Sequence, residues 1–112
     1  MKLSYEGIGA WSATFAAKQD MSGQVVKITT ADTVEPCADG NAFCGVAGPE
    51  RNGVCAVQMS GFAEVPYTGS APAVGKTTLS ANGSGGVKAD PSGAAFWVVS
   101  VDKTAEKCVI KL

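Results

Sequence analysis

Val54-Cys55-Ala56-Val57-Gln58-Met59-Ser60-Gly61-Phe62-Ala63-Glu64-Val65-Pro66-Tyr67, residues 54–67, reads as two short strands separated by Ser60-Gly61. In the first half Cys55, Val57 and Met59 alternate with Val54, Ala56 and Gln58, the period of two that gives a strand one apolar face. Phe62 to Tyr67 is a second extended run. Its Pro66 cannot donate to a ladder, which suits an edge strand rather than a central one. An apolar run at a sheet edge is a surface that copies of a chain can share, so Phe62, Val65, Pro66 and Tyr67 are the candidate self-association residues.

The same alternation extends outward in both directions. Trp11 to Ala17 places Trp11, Ala13, Phe15 and Ala17 on one side. Gln24 to Thr30 places Val26 and Ile28 on one side and Val25, Lys27 and Thr29 on the other. The polar connection Lys18–Gly23 is long enough to return an antiparallel strand between these two. At the other end, Phe96–Val101 and Lys107–Leu112 flank Asp102–Glu106 as a hairpin, with Cys108, Ile110 and Leu112 sharing a face. Glycine-, Asn- and Asp-rich turns occupy the spaces between runs. No window of ten residues holds a helical period, and Ala10 to Met21, the nearest candidate, reads equally well as strand.

Composition points the same way. Of 112 residues, 13 are Val and only 3 Leu and 3 Ile, with 8 Thr. β-Branched side chains are stiff at χ1 and pack well on a pleated surface. Ala (17) and Gly (14) inflate the 46% hydrophobic content without adding much buried area. The expectation is a mainly β fold, a small antiparallel β-barrel or sandwich, with residues 1–10 as an N-terminal arm and 11–112 as a single β domain.

Charge and residue inventory exclude several functions. Nine Lys and Arg against ten Asp and Glu, with no basic run, argue against nucleic-acid binding by phosphate neutralisation. No apolar run reaches the ~18 residues of a bilayer-spanning helix, and no secretory leader is expected at Met1-Lys2-Leu3. No membrane partner is therefore expected. The chain has no His, which removes Ser-His-Asp and Cys-His catalysis and every His-containing metal site. The reading is that the chain is not an enzyme and has no catalytic residues and no cofactor.

Four features remain. Cys37, Cys44, Cys55 and Cys108 are separated by six, ten and fifty-two residues, unlike the close pairs of zinc sites, so no metal is expected. They read first as reduced, small hydrophobes, with a Cys37–Cys44 loop disulfide as the second reading. Cys55 and Cys108 share faces with apolar neighbours, whereas Cys37 and Cys44 sit in a polar Gly/Asp loop and read as the accessible pair. Val74-Gly75-Lys76-Thr77-Thr78 carries the end of a phosphate-binding loop, but the required earlier glycine is Ser70 and no helix follows. The carboxylates are scattered; Asp32, Glu35 and Asp39 could meet in one loop but read better as solvated surface. In the first ten residues Leu3, Tyr5 and Ile8 stand among glycines. They suit either a terminal strand laid on the core or an arm that orders on a partner by strand addition, with backbone hydrogen bonds and apolar anchors.

The succession Gly23-Gln24-Val25-Val26-Lys27-Ile28, Phe43-Cys44-Gly45-Val46-Ala47, Gly53 to Gly61, Phe62 to Tyr67, Ala73-Val74-Gly75, Val98-Val99 and Val109-Ile110-Lys111-Leu112 resembles the small capsid decoration, or cement, proteins of tailed bacteriophages. The likeness spans residues 11–112 and lies in the pattern of short strands and glycines. It implies a β-tulip-like barrel and a non-enzymatic virion structural protein. Such a protein binds the exterior of the phage head and stabilises contacts between major capsid subunits. It further implies a homotrimer at local three-fold positions, an N-terminal arm that engages the major capsid protein, and assembly in the bacterial host cytoplasm. The likeness carries over no binding residues, and Leu3, Tyr5 and Ile8 are the arm candidates from the residues themselves. The competing reading is a small carbohydrate- or ligand-binding β module, which requires Trp11 and Trp97 to face solvent beside Asn or Asp.

Overall fold

A computed structural model describes residues 10–112. Within them the chain forms β1 Trp11–Ala17, β2 Val25–Thr30, β3 Thr33–Pro36, β4 Gly45–Ala47, β5 Val54–Ser60, β6 Phe62–Pro66, β7 Gly75–Ala81, β8 Val87–Ala89, β9 Ala94–Asp102 and β10 Lys107–Lys111. No helix occurs among the described residues. The β-rich expectation from valine content and alternation is met, and β1, β5, β6, β9 and β10 lie where the periodicity puts them.

The first five strands close into a barrel in the order β1-β3-β2-β4-β5, with β5 returning to β1. Here the expected antiparallel return of β2 beside β1 does not occur. β3 takes that position and pairs with β1 in parallel, Ala16 opposite Thr33 and Ala17 opposite Val34. The reason lies in the connection, which is less polar in the fold than in the sequence. Met21 is only 1% exposed and packs into the barrel cluster, so Lys18–Gly23 is pinned to the core instead of making a surface turn. The remaining barrel pairs are antiparallel.

The last five strands form a sheet in the order β6-β10-β9-β7-β8, all antiparallel. β6 is an edge strand, as Pro66 requires. The sheet curls until its two edges touch: Tyr67 bridges Val87 in parallel and the Thr68 amide donates to the Val87 carbonyl at 3.1 Å. The β9–β10 hairpin turns with Glu106 at φ 55°, and Cys108 and Ile110 face inward as the alternation expects.

Two hydrophobic clusters fill the molecule, and β2 belongs to both. Val26 packs in the barrel with Val34, Val57, Ala47, Cys55 and Met21. Val25 packs in the second cluster with Val65, Tyr67, Leu79, Val98 and Ile110. At Val25 and Val26 the alternation in β2 therefore separates one core from the other, while Ile28–Thr30 run on exposed. Ile28, grouped with Val26 by periodicity, is instead 48% exposed, beside the irregularity between Ile28 and Thr30. Hydrogen bonds stitch the two halves beside β2: Val25 N–H to Gly85 O at 3.0 Å, Gly40 N–H to Ala81 O at 2.8 Å and Ala81 N–H to Asn41 O at 2.9 Å. Phe43 stacks on Phe96 with centroids 4.8 Å apart, joining the 37–43 loop to β9. Gly45 admits no side chain, because a Cβ there would collide with the Gln58 carbonyl oxygen of β5.

Because both valines are fully enclosed, Val25→Ala and Val26→Ala should each lower stability by about 2 kcal/mol, the transfer and cavity cost of the lost methyls. Ile28→Ala on the same strand should cost less than about 0.5 kcal/mol. Urea unfolding of the three variants checks this; equal losses at Val26 and Ile28 would contradict the two-core role of β2.

Candidate interaction surface

The candidate residues divide once they are placed in the fold. Leu3, Tyr5 and Ile8 lie outside the described residues. Of the proposed self-association residues, Phe62 is half-buried and Pro66 exposed, but Val65 and Tyr67 are 0% and 5% exposed. This corrects the expectation that all four offer a shared surface. An apolar run at an edge looks available in sequence, yet strict alternation sends Val65 and Tyr67 into the chain's own second cluster. Burial, together with the nearby Glu106 carboxylate, also pushes the Tyr67 phenol upward.

What the second sheet does present is its outer face. β6, β10, β9 and β7 bring Phe62, Lys111, Trp97 and Lys76 side by side, through the pairs Lys111 with Phe62, Lys111 with Trp97, and Lys76 with Trp97. Directly opposed residues project to the same side, and four strands at ~4.8 Å spacing make this row roughly 14 Å wide. Trp97 is 55% exposed between its two lysines. Further along the same face Glu64 stands opposite Val109, and Pro66 and Asp102 opposite Lys107. Trp97 follows Phe96, which is turned inward onto Phe43, so alternation forces the indole outward. The strand is apolar on both faces, and only one of them is covered.

One end of this row meets the chain's entry into the fold. Gly61, at φ 90°, lies so close to Ala10 that a Cβ would approach its Cα to 2.7 Å. The Gly61 carbonyl accepts the Leu112 amide at 2.9 Å. Residues 1–9 therefore join the described structure next to Phe62 and Lys111. Trp11, opposite Ser60 and 57% exposed, stands at the same corner.

The remaining motifs resolve into structural roles. Gly75-Lys76-Thr77-Thr78 begins β7 and forms no phosphate cradle. Asp32 sits in the β2–β3 turn at φ 60°, Glu35 lies on β3 opposite Lys27, and Asp39 pairs with Lys88 at 3.0 Å, so these carboxylates do not converge. Buried Ser80 donates to Asp90 Oδ2 at 2.8 Å and the Ser92 amide to Asp90 Oδ1 at 2.9 Å. Those bonds, the Ser92 amide first, hold the Asp90 carboxyl below its ordinary value.

All four cysteines are free thiols. Cys55 and Cys108 are buried, in agreement with their alternation. Cys37 is not accessible as expected: it is 8% exposed within the second cluster, whereas the half-buried Cys44 packs against the barrel cluster. The polar loop folds back on β7 and carries Cys37 inward with it. The two thiols lie against different clusters, and neither is bridged.

No protein-family model matches the chain. Comparison with curated proteins likewise gives no match.

Burial pushes the Cys37 and Cys108 thiols up to about 11, and raises Cys44 and Cys55 as well. Their folded values exceed the ordinary 9.0, so their contribution to stability is complete below that pH and is lost as pH rises through about 11. Thermal melts from pH 8 to 11 should show a progressive fall in Tm. The fall should be shallower in the Cys37→Ala/Cys108→Ala double variant, where Tyr67 still titrates with the same sign. Native thiol labelling at pH 8 should modify Cys44 first; rapid reaction at Cys37 would contradict its placement.

Proposed function

We propose that this chain is a non-enzymatic structural protein of a bacteriophage particle, one that binds the exterior of the head and strengthens contacts between neighbouring major capsid subunits. The supporting observation is the Trp97-centred outer face of the second sheet, an exposed surface on a rigid four-strand platform that begins where residues 1–9 join the fold. The likeness of the strand and glycine pattern to capsid decoration proteins supports the same reading. In it, residues 1–10, through Leu3, Tyr5 and Ile8, form the arm that adds to the major capsid protein, and the sheet face meets the same shell. The working unit is a homotrimer assembled in the host cytoplasm. Many copies, each held by modest contacts, then act together as a multivalent staple on the virion.

The exposure of both tryptophans favours a second reading, a carbohydrate-binding module, because a solvent-facing indole is a platform for stacking a sugar ring. The neighbours of Trp97 weigh against it. Sugar hydroxyls need acceptors as well as donors beside the stacked ring, and Lys76 and Lys111 supply donors alone. The carboxylates of this face, Glu64 and Asp102, lie in rows further along the strands.

Co-sedimentation with expanded heads of the encoding phage tests the proposal. The full chain should pellet with heads, and deletion of residues 2–9 should weaken binding by about 100-fold, the loss of the Tyr5 and Ile8 anchors at ~1–2 kcal/mol each. A full chain that stays in the supernatant while binding immobilised glycans would favour the carbohydrate module instead.

A further inference from the structure

From the charges around Trp97 we infer the chemistry of the partner surface: the outer face of the second sheet docks a protein surface with an apolar centre bracketed by Asp or Glu side chains. This rests on the head-binding reading and specifies what the shell must present. Within the row Phe62, Lys111, Trp97, Lys76 every charge is positive, and the two ammonium groups flank the indole on adjacent strands. Lys76 and Lys111 are exposed and appear in no ion pair among the described residues. A partner that covers Trp97 must bring its own surface against both lysines. Two cations pressed against an apolar or cationic surface would lose hydration without compensation, so the fitting surface carries carboxylates at those positions. The face is equally unsuited to an all-apolar occupant.

A single nucleic-acid strand is the other occupant that an aromatic residue between lysines brings to mind, with bases stacked and phosphates paired. The rest of the face disfavours it. Glu64 and Asp102 project on the same side; Lys107 stands opposite Asp102 and offsets that charge, which leaves Glu64 to interrupt the cationic track that a backbone running along the strands would follow. The chain as a whole carries a net charge of −1. Carboxylates placed discretely on a folded partner can meet Lys76 and Lys111 while avoiding Glu64 and Asp102; a continuous polyanion cannot.

The test measures binding of the full chain to expanded heads for the wild type, Trp97→Ala and Lys76→Glu/Lys111→Glu, each at low and high NaCl. All three substituted positions are exposed, so melting temperatures should stay close to wild type and serve as the folding control. Trp97→Ala should weaken binding about 30-fold, as loss of a central aromatic anchor does. The double charge reversal should weaken it about tenfold or more at low salt and flatten the salt dependence. Wild-type binding with both variants unchanged within about twofold would overturn this inference and leave the head-binding reading intact. Weakening by Trp97→Ala alone would show an apolar partner surface and overturn the acidic assignment. Tighter binding of the wild type to a single-stranded oligonucleotide than to heads would overturn it in favour of nucleic acid. Failure of the wild type to bind heads at all would remove the reading and this inference together.

Discussion

The architecture depends on one constraint, the burial of two consecutive valines on opposite sides of a single strand. Val25 closes the second cluster and Val26 the barrel. Where β2 is buried on both faces, at Val25 and Val26, it has no solvent side, so the elements next to these two residues must cover them. β3 and β4 pair along its edges, and Gly45 of β4 lies so close to β5 that no side chain fits. Gly85 brings its carbonyl to the Val25 amide, and the 37–43 loop lies along β7. Each valine contributes ~1.5–3 kcal/mol by leaving water, and neither core is complete without its own member of the pair. The barrel and the second sheet are thereby coupled through a shared wall.

That arrangement also determines which surface is left over. The second sheet spends its inner face on Val65, Leu79, Val98, Cys108 and Ile110. An antiparallel sheet with one covered face leaves the other to solvent. β9 is apolar at consecutive positions, Phe96, Trp97 and Val98, so whatever alternation does with Phe96 and Val98 it must do the opposite with Trp97. The exposed indole follows directly from the packing of its neighbours. A large exposed apolar side chain centred on a rigid strand platform is a recognisable docking feature. In the proposed docking role, the lysines in register beside it would select for an acidic partner surface.

Legibility in the sequence varied with the length of the periodic run. β1, β5 and the β9–β10 hairpin hold enough alternation to be read directly, as does the inward face of Cys108 and Ile110. β3, β4 and β8 are four, three and three residues long, shorter than any window in which a period can be recognised. β7 was obscured by its Gly-Lys-Thr start, which attracts a motif reading. An Asp at positive φ in the β2–β3 turn was the available signal for β3, since Asp tolerates the left-handed region. Of the four self-association candidates, Phe62 and Pro66 lie on the outer face while Val65 and Tyr67 are buried, and nothing local in the sequence links Lys76 and Lys111 to Trp97, because they come from three different strands.

The chain's amino acids alone determine its β character, its turn positions, the edge placement of the strand ending at Pro66 and the absence of histidine chemistry. These are local properties: χ1 stiffness, period two, glycine conformations and a missing donor act within a few residues. Strand neighbours were decided only in three dimensions, including the parallel β1–β3 pair, the burial of Met21 and Cys37, and the meeting of Trp97 with two lysines from other strands. Alternation records that a face is apolar but not which core covers it, because the hydrophobic effect is non-directional and carries no address. The address comes from closure of the whole sheet system, in which every strand must find an edge and every apolar face a partner at the same time.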